Sequence, residues 1–164
     1  MGSGKTSTGK ALAEKMGFEF ADLDRVIESE TQSTIAELFK DQGEQTFRKL
    51  EYDTLNRLLK KDSLVLSTGG GTACFFNAME TINKNSVSVY LKMSADSLFN
   101  RLVNERSKRP LIKDLGEKEL RHFISELLFI REPYYNKAHY KVKAKEIQIG
   151  ALVDFLRQEN QQLV

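Results

Sequence analysis

The apolar residues of this chain fall into short and long blocks that alternate along the sequence. Four short blocks, at residues 18–23, 64–66, 87–91 and 140–142, are rich in β-branched, aromatic or leucine residues, and this composition predicts strands. The longer blocks between them have the period of helices. Strands that alternate with helices predict an α/β fold of three layers, in which a parallel sheet carries helices on both faces.

Several helices can be placed from their periodicity and their capping residues. Apolar residues form one stripe over residues 45–60. Thr34 and Glu37 have the spacing of a capping box, which predicts a short helix that ends near residue 40. Ser94 precedes a further helix, and the last helix begins near Gly150.

Composition and charge exclude several classes of protein. The chain has 164 residues, enough for one domain with its own core, and we assign residues 1–164 to that domain. The single cysteine, Cys74, excludes a disulfide framework and favours a reducing compartment such as the cytoplasm. With 25 basic and 23 acidic residues, the formal charge of +2 argues against a nucleic-acid partner. No apolar run approaches the ~20 residues of a membrane span, so we expect no membrane partner.

The chain begins with the letters MGSGKTST, and Gly4, Lys5 and Thr6 match the second half of the phosphate-binding loop G-x-x-x-x-G-K-[ST]. Small residues allow backbone N–H groups to surround phosphate oxygens, and the helix that follows adds its positive end. Lys5 would reach the β- and γ-phosphates of a nucleotide, and the Thr6 hydroxyl would bind Mg²⁺. The alternative is a flexible glycine-rich N-terminus with an accidental match.

The first glycine of this pattern, and the strand that normally leads into it, would lie before Met1. In a doubly wound sheet that strand is usually central. Its removal leaves two neighbouring strands with unpaired backbone groups, each at a cost of about 1–3 kcal/mol when buried. Because a domain has a total stability of only about 5–15 kcal/mol, we expect the natural chain to be longer at its N-terminus.

Two carboxylates, Asp22 and Asp24, follow the first predicted strand. If the strand continues, alternation places both on the same side, at the carboxyl edge of the sheet where open α/β folds bind ligands. One carboxylate could then hold Mg²⁺ through water, and the other could orient an acceptor hydroxyl and take its proton. The alternative is an N-cap for a helix that begins near Arg25.

Three consecutive glycines, Gly69, Gly70 and Gly71, follow the second predicted strand. A turn with positive φ needs only one glycine, and three are costly because they raise the entropy of the unfolded chain. The run therefore favours close approach of the backbone to a small ligand.

Cys74 is predicted to be a small buried filler and Tyr135 to be a packing residue.

These pieces belong to an ordered set of short motifs that covers nearly the whole chain. The set reads GSGKT at 2–6, DLD at 22–24, GE at 43–44, FRKLE at 47–51, STGGG at 67–71, RPL at 109–111 and REPYY at 131–135. In order and spacing it resembles the shikimate kinases, a family within the nucleoside-monophosphate-kinase-like group of P-loop kinases. Only the first strand and the first loop glycine of that pattern are missing.

The resemblance implies an enzyme that transfers the γ-phosphoryl group of ATP to the 3-hydroxyl of shikimate. The product would be shikimate 3-phosphate, on the route to chorismate and aromatic amino acids. The cofactor would be Mg²⁺, and the partners would be the small molecules shikimate and ATP, bound by a monomer. The implied ATP-binding residues are Gly2, Ser3, Gly4, Lys5, Thr6, Ser7, Arg101 and Arg109.

The resemblance also assigns the acceptor site. Asp24 would bind ring hydroxyls and accept the proton of the 3-hydroxyl, and Asp22 would hold Mg²⁺ through water. Arg48, Arg131 and the backbone of Gly69, Gly70 and Gly71 would hold the remaining substrate groups, for which a planar guanidinium suits a carboxylate. Predicted substrate-binding helices span about 25–60.

Both arginines of that site also have a structural interpretation. Arg48 could be a surface charge paired with Glu44 or Glu51, since such i,i+3 and i,i+4 pairs are common on helices. Arg131 could be a charge at the C-terminal end of a helix.

The basic segment at about 105–118 resembles the lid of the family. Its closure would exclude water, and Arg109 would stabilise charge on the transferring phosphoryl group. Arg101 resembles the arginine that stacks on adenine, with Arg106 as the alternative because the spacing to the Arg-Pro pair is one residue longer than expected. A solvated basic loop is the other interpretation of this segment.

Two further functions are compatible with the sequence. A gluconate-type kinase would share the phosphate loop, although Phe47-Arg48 and the triple glycine are not expected there. A nucleotide-binding relative without catalysis is the second alternative, and the joint presence of Lys5, Asp24 and Arg48 argues against it.

Overall fold

A computed structural model describes residues 2–108 and 111–161. This part of the chain folds into seven α-helices and four strands. The strands are β1 (Glu19–Asp22), β2 (Leu64–Ser67), β3 (Val89–Lys92) and β4 (Tyr140–Lys143). The helices are α1 (Lys5–Met16), α2 (Leu23–Thr31), α3 (Ile35–Leu58), α4 (Ala78–Asn85), α5 (Ala95–Leu102), α6 (Glu117–Tyr135) and α7 (Ile149–Gln161).

All four predicted strands are confirmed, with ends that differ by one or two residues. The two helices predicted on either side of residue 43 are confirmed, since they follow one another within α3 and are separated by Gly43, whose angles of φ 78° and ψ 164° are not helical. The capping box is present, because Thr34 Oγ1 accepts from the Glu37 N–H and the Glu37 side chain accepts from the Thr34 N–H. Ser94 caps α5 as predicted.

The strands form two parallel pairs. In the first pair Glu19 lies opposite Leu64 and Asp22 opposite Ser67, and in the second Val89 lies opposite Tyr140. Within the described residues no ladder of hydrogen bonds joins β2 to β3, so the predicted single sheet is divided in two. The parallel strands and the α/β class are confirmed.

Helices cover both faces of the strands, as the three-layer prediction requires. Leu64 and Leu66 of β2 pack with the cluster formed by α2, α3 and α4, whereas Val65 between them packs with α1 and α7. This is the side-chain alternation of a strand that is buried on both faces. A third cluster joins α5 to α6 through Leu102, Ile112 and other apolar residues.

A cavity of about 940 Å³ lies between the two strand pairs. Val65 of β2 and Val89 of β3 line it, and so do Gly9 and Leu12 of α1. The cavity reaches Lys5 and Arg131, which are residues of the predicted site. The expectation of a longer natural chain stays a prediction.

The predicted lid is partly described. Residues Val103–Lys108 form a 3₁₀ helix, and Ile112 is fully buried beyond it. Arg109 and Pro110 lie outside the described residues. None of the helices in the described ranges has both the length and the apolar character that crossing a membrane requires.

Candidate active site

The predicted phosphate loop lies at the carboxyl ends of β1 and β2. The hydroxyl of Ser67, the last residue of β2, donates to the Lys5 carbonyl over 3.1 Å. At the end of β1, Asp22 Oδ2 accepts from the Thr6 hydroxyl over 2.8 Å. These bonds hold the N-terminus of α1 at the strand edge where open α/β folds bind their ligands.

The backbone of this loop needs its glycines. Gly2 and Gly4 have φ of 76° and 87°, a region that residues with a Cβ rarely adopt. Gly4 is the N-cap of α1, and its carbonyl accepts from the Thr8 N–H at 2.9 Å and from the Ser7 hydroxyl at 3.0 Å. The first N–H groups of a helix at such an end are suited to bind phosphate oxygens.

Arg101 lies beside the loop, and Arg106 does not. The Arg101 Nη1 donates to the Gly2 carbonyl over 3.3 Å. Arg106 instead donates to the carbonyls of Val103 at 3.2 Å and Leu115 at 2.8 Å, so it holds the lid segment together. The geometry therefore favours Arg101 over Arg106 as the arginine near a bound nucleotide.

The expectation that one strand carries both carboxylates is wrong. Strand β1 ends at Asp22, which is the N-cap residue of α2, and Asp24 lies in the first turn of that helix. The Asp22 side chain makes no capping hydrogen bond, because it accepts from Thr6 instead. The two carboxylates still lie close enough for Asp22 to raise the pKa of Asp24.

Asp24 is a carboxyl group with a strongly altered affinity for protons. Burial, followed by the negative charges of Asp22 and Glu51, raises its pKa from 3.8 to about 6. The ammonium group of Lys5 acts in the opposite direction and lowers this pKa. A base that titrates near neutral pH suits proton acceptance from a hydroxyl.

Arg48 is buried, so its interpretation as a surface charge is wrong. It is 8 % exposed, and its Nη1 donates to Glu51 Oε2 over 2.7 Å. Phe75 stacks on the guanidinium with 4.4 Å between the ring centroid and Cζ, and Phe39 and Phe47 lie at 5.3 and 5.2 Å. Glu44 pairs with it at 3.3 Å from the exposed side. The fold therefore fixes the orientation of Arg48.

Glu51 connects this arginine to the glycine loop. It is 2 % exposed, and its second oxygen, Oε1, accepts from the Thr72 hydroxyl over 2.5 Å. A buried carboxylate that lost Arg48 would keep an uncompensated charge, which costs several kcal/mol. Sequence reasoning missed Thr72, since a threonine after three glycines carries no distinctive signal.

The glycine run permits close contact with these side chains. A Cβ on Gly71 would lie 2.6 Å from Arg48 Nη2, and one on Gly69 would lie 2.9 Å from Asp24 Oδ1. Gly71 has a φ of −97°, which any residue adopts, so close approach is what requires glycine there. The groups that approach the run are side chains of the site, and the predicted close approach of a small ligand stays a prediction.

Helix α6 contributes the second arginine. Arg131 lines the cavity together with Gly69 and Gly70. No ion pair joins Arg131 to a carboxylate among residues 2–108 and 111–161, in contrast to Arg48.

Cys74 is partly exposed, not a buried filler, and the charges of both Arg131 and Arg48 lower the pKa of its thiol against the larger, opposite effect of burial. Two guanidinium groups therefore lie near Cys74.

Tyr135 does more than pack. Its hydroxyl donates to the Gly70 carbonyl, and the nearby charge of Arg131 lowers the pKa of that hydroxyl against the larger effect of burial. The sequence offered only a tyrosine four residues after an arginine, a spacing that is equally typical of a packed helix face.

The residues predicted to hold Mg²⁺ fit that ion. Thr6 and Asp22 offer a hydroxyl and a carboxylate oxygen, and magnesium prefers oxygen ligands. In the described ranges no group of three or more His, Cys, Asp or Glu side chains could hold a metal by itself. That agrees with the usual binding of Mg²⁺ by one or two carboxylates together with waters and substrate phosphates.

The site therefore gathers most of the residues predicted for it. In or beside the loop lie Gly2, Gly4, Lys5, Thr6, Ser7, Asp22 and Arg101, and near the glycine run lie the other predicted residues, Asp24, Arg48, Gly69, Gly70, Gly71 and Arg131. Ser3 lines the cavity beside Lys5. Arg109 is outside the described residues, so its predicted place near the phosphates stays a prediction.

Comparison with known proteins agrees with this arrangement. A shikimate kinase from Phocaeicola vulgatus is 42 % identical over 163 residues, which is 97 % of this chain and 93 % of that protein. One from Azobacteroides pseudotrichonymphae is 39 % identical over 157 residues, or 95 % and 92 % of the two chains.

Solved structures give the same result. The crystal structure of shikimate kinase from Bacteroides thetaiotaomicron matches with a TM-score of 0.90 at 38 % identity, over 98 % of this chain and 94 % of that one. The Acinetobacter baumannii enzyme in complex with shikimate matches with a TM-score of 0.79 at 35 % identity, over 99 % and 88 %.

The family model for shikimate kinase matches residues 1–159, and so includes every element that carries the site. A loop with the phosphate-binding pattern beside an aspartate of raised pKa, two arginines near Cys74 and a glycine run thus have one common explanation. The chain belongs to the shikimate kinase family.

Proposed function

We propose that this protein transfers the γ-phosphoryl group of ATP to the 3-hydroxyl of shikimate, with Mg²⁺ as the cofactor. The observation that carries the proposal is the position of Asp24. Its carboxylate lies within the electrostatic reach of Lys5 on the nucleotide side and of Glu51, the partner of Arg48, on the acceptor side. An acceptor hydroxyl bound to Asp24 would thus lie between the two halves of the site.

The acceptor half suits a small hydroxylated acid. Arg131, which has no carboxylate partner among the described residues, offers the charge that a substrate carboxylate needs. Arg48 is held by Glu51 and by three aromatic rings, so its free donors are fixed in direction before a ligand binds. Pre-orientation of this kind reduces the entropy that binding costs.

In the transfer step, Asp24 would accept a hydrogen bond from the 3-hydroxyl and take its proton as the oxygen attacks the γ-phosphorus, while the bond from that phosphorus to the β,γ-bridging oxygen breaks and ADP leaves. Lys5 and the N–H groups at the start of α1 would hold the β- and γ-phosphates and offset the negative charge of the transition state. Thr6 and Asp22 would hold Mg²⁺, directly or through water. When bound, the ion would offset the negative charge of the phosphates.

We also propose that Arg101 contacts the adenine side of the nucleotide and that Arg109 reaches the phosphates from the lid. A single cysteine and a formal charge of +2 support a cytoplasmic enzyme without a nucleic-acid partner.

The deciding experiment is a coupled assay of ADP release with shikimate or gluconate as the acceptor. We expect release that depends on shikimate and Mg²⁺, with gluconate at the background rate of ATP hydrolysis. Preference for gluconate would favour the other small-metabolite kinase. Nucleotide binding without transfer to either acceptor would support a relative without catalysis.

Variants divide the site into its two halves. Arg48→Lys should raise KM for shikimate about tenfold while KM for ATP stays within twofold, because an ammonium keeps the charge beside Glu51 but loses the planar donor pair. This variant avoids the uncompensated buried carboxylate that alanine would leave. Lys5→Ala should abolish transfer, and unchanged turnover in that variant would contradict the phosphate-loop assignment.

A further inference from the structure

The last turns of α6 carry two polar side chains toward the site. Arg131 and Tyr135 are four residues apart and therefore lie on the same face of the helix. The Asn136 N–H donates to the Glu132 carbonyl at 2.8 Å, so the helix is still regular at this end despite Pro133. A rigid helix thus holds both side chains at a fixed separation.

The Tyr135 hydroxyl anchors the backbone of the glycine run. It donates to the Gly70 carbonyl. The Arg131 guanidinium lies close enough for its positive charge to lower the pKa of this hydroxyl, against the larger and opposite effect of burial. The hydroxyl therefore holds the middle of the glycine run beside the second arginine of the site.

Packing fixes the position of this hydroxyl. The Tyr135 ring lies against that of Tyr90 on β3, with 5.1 Å between centroids, and packs on the core beneath β2. Burial raises the pKa of the Tyr135 hydroxyl, so it stays a proton donor at neutral pH. Gly70 in turn lies between Gly69, which contacts Asp24, and Gly71, which contacts Arg48.

We propose that Tyr135 is a positioning residue for the acceptor substrate, because its hydroxyl holds the Gly70 backbone in place beside Arg131. The proposal rests on the function proposed above and deepens it. Tyr135 need not touch the substrate. It ties the middle of the glycine run to α6, the helix that carries Arg131, so that Arg131 and the groups on either side of Gly70 keep their separation.

The test is Tyr135→Phe, which removes the hydroxyl and keeps the ring. We expect KM and Kd for shikimate to rise about tenfold, with KM for ATP within twofold of the wild-type value. Tyr140→Phe is the matched control, since the Tyr140 hydroxyl donates to Glu159 Oε2 at 2.7 Å between β4 and α7. It removes a comparable tyrosine hydrogen bond and should leave both KM values unchanged.

A double-mutant cycle with Arg131→Ala separates positioning from a general loss of stability. If Tyr135 acts through Arg131, adding Tyr135→Phe to Arg131→Ala should raise Kd for shikimate by less than the tenfold effect of the single change. Fully multiplicative effects would overturn the coupling between the two residues.

The outcomes also distinguish this proposal from the one on which it rests. If the wild-type protein releases ADP with shikimate and Tyr135→Phe has the same KM and Kd, the positioning role is overturned alone. If the wild-type protein neither binds nor phosphorylates shikimate, the proposed function fails and this role fails with it. Equal increases in the KM of shikimate and ATP would also contradict a role confined to the acceptor.

Discussion

At the scale of single residues, the site depends on where charge is buried. Asp24 shares a confined space with Asp22 and Glu51, and the positive charge of Lys5 only partly offsets them. The negative charge of Glu51 is compensated by the Arg48 guanidinium and the Thr72 hydroxyl, whereas the pKa of Asp24 is raised. The same carboxyl group is therefore costly to the fold and suited to accept a proton.

The first prediction concerns the pH dependence of activity. Because transfer needs the ionised form of Asp24, kcat/KM for shikimate at saturating ATP and Mg²⁺ should fall below pH 6, about tenfold per pH unit. The apparent pKa should be close to the value of about 6 that Asp24 has in the protein without ligands. The residual activity of Asp24→Asn should lack this acid limb. If kcat/KM of the variant still falls below pH 6, the titrating group is not Asp24.

The second prediction concerns stability. The folded state raises the pKa of Asp24 from 3.8 to about 6, so it binds this proton more tightly than the unfolded chain does. The contribution of Asp24 to stability is thus greatest at low pH and is lost as pH rises toward 6. Asp24→Asn should therefore increase the free energy of unfolding at pH 8 by about 1–2 kcal/mol.

Thermal unfolding followed by circular dichroism at pH 8 and pH 4 tests whether Asp24→Asn stabilises the fold. The increase in the free energy of unfolding should be largest at pH 8. It should be nearly absent at pH 4, where the Asp24 carboxyl of the folded wild-type protein is already protonated. Asp53→Asn, at an exposed position of α3, is the control and should change stability by less than about 0.5 kcal/mol at either pH. A loss of stability at pH 8 would contradict the burial of Asp24.

At the scale of elements, the glycine run and the two helices that contact it, α3 and α6, form one side of the proposed acceptor site. The run links β2 to the short 3₁₀ helix at Thr72–Cys74, while α3 supplies Arg48 and α6 supplies Tyr135. Each helix reaches the run through one hydrogen bond or one close contact. This side of the proposed site is therefore sensitive to a methyl group added to the glycine run.

The third prediction is the effect of Gly71→Ala. A Cβ there would lie 2.6 and 2.8 Å from the two terminal nitrogens of Arg48, so the guanidinium must move away from Glu51. We expect KM for shikimate to rise about tenfold and stability to fall by about 1–3 kcal/mol, with KM for ATP unchanged. Steady-state kinetics and thermal unfolding measure the two effects.

Gly17→Ala is the control for Gly71→Ala. Gly17 has a φ of 73° and no atom within 4 Å of an added Cβ, so strain alone should lower stability by about 1 kcal/mol. Its effect on the KM of either substrate should be less than twofold. An unchanged KM for shikimate in Gly71→Ala would show that Arg48 has room to adjust.

The elements could be predicted from the sequence because their signals are local. Alternation, the Thr34 capping box and the Ser94 cap depend on residues within a turn or a strand of one another. The end of β1 at Asp22 was not predictable in this way. It depends on contacts made after folding, such as the bond from Thr6 to Asp22.

At the scale of the whole molecule, three apolar clusters hold the site together. One of them docks α7 against α1, the helix that follows the phosphate loop, through Leu12, Leu152, Val153 and Leu156. No site residue named above lies on α7. This docking should therefore affect the stability of the fold more than the chemistry of the site.

The fourth prediction is that Leu156→Ala lowers the free energy of unfolding by about 2–5 kcal/mol, the usual cost of truncating a buried leucine. Denaturant unfolding measures this loss, and KM values at low temperature should stay within twofold of wild type. Gln158→Ala, at an exposed position of the same helix, should change stability by less than about 0.5 kcal/mol. A similar effect of both changes would mean that α7 is not docked.

The sequence by itself determined the alternation of strands and helices, the phosphate loop, and the residue types that a small acidic acceptor requires. These are encoded in spacing, and spacing is visible along the chain. Only the tertiary structure decided that Arg48 is buried against Glu51, that Asp24 has a raised pKa, and that Tyr135 bonds to Gly70. Burial, charge compensation and hydrogen bonding across 65 residues depend on distances in space, which the order of residues does not specify.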